Sequence, residues 1–174
     1  MIAYKRLLKH AKANPEKIKL HAGMMPWPIA VVSLRSVSAS LGLSQALRLA
    51  KARRYINTTE NGRGTKAHYN VFESFITGRD IHSKDEEASK LYEHVFKTNI
   101  LRCSSMANKV SEILKDSGKH DRVLVICGLV NMVYGNGVPE RIWWANPEVK
   151  SQSYLVTVRQ DNELLNSQDS TFKK

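Results

Sequence analysis

The sequence predicts an α/β layer structure, and three observations carry that expectation. Segments with apolar residues at helical spacing recur along the chain. One β-branched apolar run, Arg122-Val123-Leu124-Val125-Ile126-Cys127, ends at Gly128 in the manner of a strand buried on both faces. Two further stretches, 17–21 and 154–159, read as short strands. Helices alternating with about three strands fit helices layered on a sheet. A length of 174 residues suits one domain, expected over residues 1–158, followed by a polar tail over 159–174.

Residues 2–13 place Leu7, Leu8 and Ala11 at helical spacing among lysines, and Asn14-Pro15 stops that helix. Lys17-Ile18-Lys19-Leu20-His21 then alternates polar with apolar before Ala22-Gly23, a strand ending in a loop that Pro26 and Pro28 keep extended. From 29 to 56 the chain is rich in Ala, Leu and Arg. Leu43, Ala46, Leu47 and Ala50 are spaced for a helix that Ser40 and Gly42 either begin or interrupt. The polar stretch 57–66 has the composition of an exposed loop.

A short helix over 68–76 sets Tyr69, Phe72 and Ile76 on one side and ends at Gly78. Ser83 and the acids after it open another helix, with Leu91, Val95, Phe96, Ile100 and Leu101 in register, and a separate helical run over 106–115 gathers Ala107, Val110, Ile113 and Leu114. Gly135, Gly137 and Pro139 make a turn that opens a last helix, 154–159 closes the sheet, and the tail frays.

The net charge of +11 is uneven. Residues 1–54 hold eleven Lys/Arg against the single acid Glu16, whereas 55–174 hold sixteen against fifteen acids. Such a segment attracts nucleic acid, an anionic membrane surface or an acidic ligand, or is simply a solvated basic face. Its aromatics are only Tyr4 and Trp27, and no helix-turn-helix or zinc-finger spacing is present, so no specific nucleic-acid partner is predicted. No apolar run reaches the roughly 20 residues of a membrane span, and the N-terminus lacks a secretory pattern, so an intracellular, cytoplasmic protein is expected. Cys103 and Cys127 have no metal-like spacing and read as reduced, buried thiols.

In open α/β sheets, ligands sit beyond the carboxyl ends of the strands, so the loops after Leu20 and Cys127 should gather His21, Asn131 and Tyr134. Taken alone, Tyr134 reads as a buried, hydrogen-bonded tyrosine, His21 and His68 as ordinary surface or capping groups, and Arg79 and Arg141 as bridges to Glu73 and Glu140.

The segments HYNVFESFITGRDIH (68–82), MANKVSEIL (106–114) and RVLVICGLVNMVYGNGVPERI (122–142) resemble the ChaN-like haem-binding domain, related to the TraB/Tiki and erythromycin-esterase group. The resemblance covers roughly residues 1–158. It implies an incomplete three-layer α/β/α fold with a mostly parallel sheet, haem or tetrapyrrole as cofactor, and a homodimer around it. Under that resemblance Tyr134, His21, His68, Tyr69, Arg79 and Arg141 are the cofactor-binding candidates: Tyr134 and His21 as metal ligands to ferric haem, His68 as an alternative iron ligand, and Arg79 and Arg141 as partners of the propionates. The chain departs from the family pattern at Asn131, where relatives carry histidine, and at 102–108, where they carry acids, and it lacks the family's opening Glu-Thr-His portion and lipoprotein signal. Haem binding is thus the first expectation and a non-catalytic interaction module with a basic N-terminal face the alternative. A hydrolase like the esterase or TraB relatives ranks below both, since the residues for acid–base chemistry are depleted.

Overall fold

The computed structural model of the chain describes residues 4–35, 39–57, 62, 64–80, 86–118 and 121–150. Two compact units divide the chain: of the described residues, 4–21 belong to the first and 22–150 to the second. The first contains α1 (Lys5–Ala13). The second contains α2 (Trp27–Arg35), α3 (Ala39–Ala52), α4 (Lys66–Thr77), α5 (Glu86–Asp116) and α6 (Val138–Ala145), with single 3-10 turns at Leu129–Asn131 and Val133–Gly135.

Among the described residues there is no strand and no sheet, so the expected α/β/α layering is replaced by packed helices. At 17–21 the chain leaves a turn in which the Lys17 and Ile18 amides both donate to the Asn14 carbonyl, then runs on with no strand pairing among the described residues and with Leu20 exposed. Over 122–127 it alternates as extended chain does. Val123, Val125 and Cys127 pack against apolar residues of α5 and α6, while Leu124, 76% exposed, and Ile126 face outward. A strand buried on both faces needs partner strands for its amides and carbonyls. Among the described residues it has none, and the segment lies at the surface with one face covered. The third expected strand, 154–159, and the tail over 159–174 lie outside the described residues.

The loop expected around Pro26 and Pro28 is instead the start of α2, because Pro28 falls in the first turn, where its missing N–H is not needed. Helix α4 ends at Gly78 as expected but starts two residues earlier than expected, at Lys66. The Thr65 side chain accepts a hydrogen bond from the His68 amide (3.1 Å), and Gly78 ends the helix in the left-handed conformation (φ 70°), donating to the Ser74 carbonyl.

Helix α5 is one element where two were expected. Its 31 residues span about 46 Å at 1.5 Å per residue. The segment Arg102-Cys103-Ser104-Ser105 does not interrupt it, since Ser104 donates to the Ile100 carbonyl (2.9 Å) inside the helix and Ser105 to the Gly23 carbonyl (3.0 Å) outside it.

Three apolar clusters lean on this helix. Phe96 and Ile100 meet Phe72 of α4, with Tyr69 and Val130 alongside. Leu101 meets Met25, Ile56, Ala30 of α2, and Ala46 and Ala50 of α3, the three alanines being fully buried and small enough to bring the helices close. Cys103, Met106, Ala107 and Val110 meet Val138 and Ile142 of α6.

Candidate functional site

Two places concentrate chemistry-bearing side chains. The first lies inside the second unit, where α4, α5 and α6 meet. His68, in the first turn of α4, is 2% exposed and stands edge-on to Phe96 at 5.0 Å between ring centroids; Tyr69 also stands edge-on to Phe96, at 5.1 Å. Neither imidazole nitrogen has a hydrogen-bond partner. Glu140 Oε2 lies 3.9 Å from Nδ1, too far for a hydrogen bond. Desolvation, followed by the positive charge of Arg141, lowers the His68 pKa to about 4, so the ring is neutral and its approach to Glu140 is no ion pair at neutral pH.

Arg141 is itself buried. Its Nε donates to Ser104 Oγ (2.8 Å), its Nη1 lies 3.5 Å from Glu140 Oε2, and its guanidinium sits 5.6 Å from the Trp144 ring centroid. At the far end of α6, Asn146 Nδ2 donates to Ser111 Oγ (2.8 Å) and to the Ile142 carbonyl. These polar links tie α6 to α5 at two levels. One residue before Ser104 in α5, the Cys103 thiol donates to Asn131 Oδ1 (3.5 Å) and receives the Asn99 amide (3.8 Å). Burial pushes this thiol up to about 12, so it is protonated and not nucleophilic at neutral pH; burial also raises Cys127.

Of the residues singled out from sequence, the structure thus brings His68, Tyr69 and Arg141 into one neighbourhood. Arg141 takes the bridge to Glu140 that stood beside the propionate reading, and its guanidinium is not open to a ligand carboxylate. Arg79 is exposed just after α4, its amide held by Thr77 Oγ1 (3.2 Å) and its carbonyl by Ser74 Oγ. His21 is exposed in the first unit. Asn131 is buried, whereas Tyr134, expected as a buried tyrosine if not a ligand, is 86% exposed. Tyr134 has φ 53° in a turn where Gly135 and Gly137 also have positive φ, a conformation that throws its ring outward. The crevice meant to gather His21, Asn131 and Tyr134 required the carboxyl edge of a sheet, which the described residues do not form. His68 borders a shallow cleft with Val71, Phe72, Phe75 and Val130 that has no room for a water-sized body. No group of three or more His, Cys, Asp or Glu that could hold a metal ion occurs among the described residues.

The second place is α1. Tyr4, Leu7, Leu8 and Ala11 fall at i, i+3, i+4 and i+7, one face of a helix, and Lys5, Lys9 and Lys12 form the adjacent stripe. Ala11 is buried, but Tyr4, Leu7 and Leu8 are 49%, 39% and 51% exposed. Arg6, Lys17 and Lys19 are exposed too, and Glu16 is the single acid between residues 4 and 21. The basic excess was legible in composition. The half-open apolar face was not, because the same spacing marks any helix laid on a core. Sequence reasoning passed over Trp143 and Trp144, both exposed; Trp27, counted there only as an aromatic of the basic segment, is exposed too, with Arg102 5.4 Å from its ring. Tryptophans doubled at 143–144 in a helix eight residues long were the available signal, since both cannot face the core.

No helix among the described residues is long and apolar enough to cross a membrane. No family model, curated protein or solved structure matches the chain.

Proposed function

We propose that the chain is a non-catalytic interaction module that binds an anionic partner through its basic N-terminal segment. The observation that carries this reading is the set of six exposed Lys/Arg side chains between residues 4 and 21, opposed by Glu16 alone. Like charges held together on a folded segment create a local positive potential that an anionic surface relieves. The buried polar groups of the second unit support the same reading: Arg141 and Ser104 are spent on joining helices, the His68 ring is held neutral, and the Cys103 thiol is held in its protonated form.

Heparin affinity chromatography tests it. The wild-type chain should be retained and elute at raised salt, and a variant with Lys5, Arg6, Lys9 and Lys12 changed to Glu should elute far earlier, since screened charge attraction scales with the charges present. Unchanged elution of that variant would refute the reading.

A second reading, haem binding, is favoured by one observation, the exposed phenol of Tyr134. A phenolate can ligate ferric iron, and a second copy of the chain closing over it would make the homodimer that the ChaN-like resemblance implies. Haemin titration followed by Soret absorption separates the two: a saturable change lost in Tyr134→Phe favours haem, and a weak, non-saturating one removes it.

A further inference from the structure

We infer that the anionic partner is a lipid bilayer surface, with α1 lying in the plane of the headgroups. This rests on the proposed binding of an anionic partner through the basic segment and names which partner.

The reason is that α1 offers two chemistries side by side. Lys5, Lys9 and Lys12 form one stripe, and Tyr4, Leu7 and Leu8 form the next, half open to water. A nucleic acid or an acidic peptide would neutralise the first stripe and leave the second wet. An anionic bilayer meets both, with phosphate headgroups at the ammonium level and acyl boundary beneath the leucines. Lysine stems reach from a buried helix side back to the charged layer, and a tyrosine ring suits the boundary between them. The low overall hydropathy of the helix, four Lys/Arg in nine residues, fits a helix that lies on a membrane and not one that spans it. Burial of Ala11 marks where the open part of the apolar face stops, so insertion involves the first two turns.

The test is flotation of the full chain with vesicles of phosphatidylcholine alone and of phosphatidylcholine with about one third phosphatidylglycerol, beside the heparin column. Wild type should float with the anionic vesicles and not with the neutral ones. Leu8→Gln, at a half-exposed position, should need about tenfold more lipid, while Leu8→Phe, which keeps the apolar surface, should bind like wild type. Lys5→Glu with Lys9→Glu should abolish flotation. Equal flotation of Leu8→Gln and wild type would overturn the inference, because the apolar stripe would then play no part. Retention on heparin without flotation overturns it too, yet leaves the binding of an anionic partner standing; loss of both removes the two together.

Discussion

Lowering the pH from about 8 to about 5 should cost the protein roughly 2 kcal/mol of stability through one side chain, His68. The imidazole is 2% exposed, has no hydrogen-bond partner, and is held neutral by desolvation and by Arg141, with its pKa lowered from 6.5 to about 4. In the unfolded chain the same ring takes up a proton near 6.5. The unfolded state therefore binds more protons than the folded one between these values, and stability falls as the pH falls. The contribution is intact above about 6.5, is lost progressively down to about 4, and totals about 3 kcal/mol below that. Urea unfolding followed by circular dichroism at a series of pH values reads this directly, with His68→Phe as the reference because it cannot titrate. The wild-type midpoint should drop more steeply than that of His68→Phe between pH 8 and 5. Parallel curves for the two proteins would refute the assignment of a buried neutral imidazole.

Three further outcomes follow from the packing. Gly137→Ala should destabilise by more than about 2 kcal/mol in thermal unfolding, since φ is +74° and an added Cβ would lie 2.6 Å from the Asn131 carbonyl oxygen and 3.2 Å from Cys103 Sγ. Thr65→Ala should cost about 1 kcal/mol by removing the cap on the His68 amide; a change below a few tenths would show that the α4 terminus does not need it. In thiol labelling of the native protein, Cys127, half buried, should react while Cys103, fully buried with its pKa near 12, reacts only on unfolding; simultaneous labelling would contradict the burial.

What could be read from the sequence followed what local chemistry determines. Helix α4 was legible in its body and at its C-terminal end because the apolar spacing over 69–76 is unbroken and Gly78 supplies a conformation few residues adopt, whereas its start at Lys66, capped by Thr65, fell inside the stretch expected as loop. The fold class was not legible, and residues 122–127 show why. An uninterrupted β-branched run looks alike whether it sits inside a sheet or lies singly across helices, because the pattern records apolar character and not what covers it. The supposed break in α5 at 102–105 failed for a related reason, as serines that favour caps and turns in isolation are held here by carbonyls at Ile100 and Gly23. At the site, residue type pointed to His68 and Arg141 as ligands, yet nothing in their local sequence reveals that one would be sealed behind Phe96 and the other bonded to Ser104. Tyr134 was expected inside if not on iron, but three positive φ angles over 134–137 set its direction, and these depend on the turn as a whole.

The shared use of α5 by three clusters sets the order in which the chain can become solid as it is synthesised. Met25 and Ile56 can cover Ala30, Ala46 and Ala50 early, but that cluster lacks Leu101 and Phe72 lacks Phe96 until α5 is made. Helices α2, α3 and α4 therefore leave the ribosome with the faces that α5 covers still open, and more than half of the 174 residues must be polymerised before either cluster can close. A nascent chain of this design is at its most adhesive just before the middle of α5 emerges, and a pause in translation earlier than that prolongs the exposure.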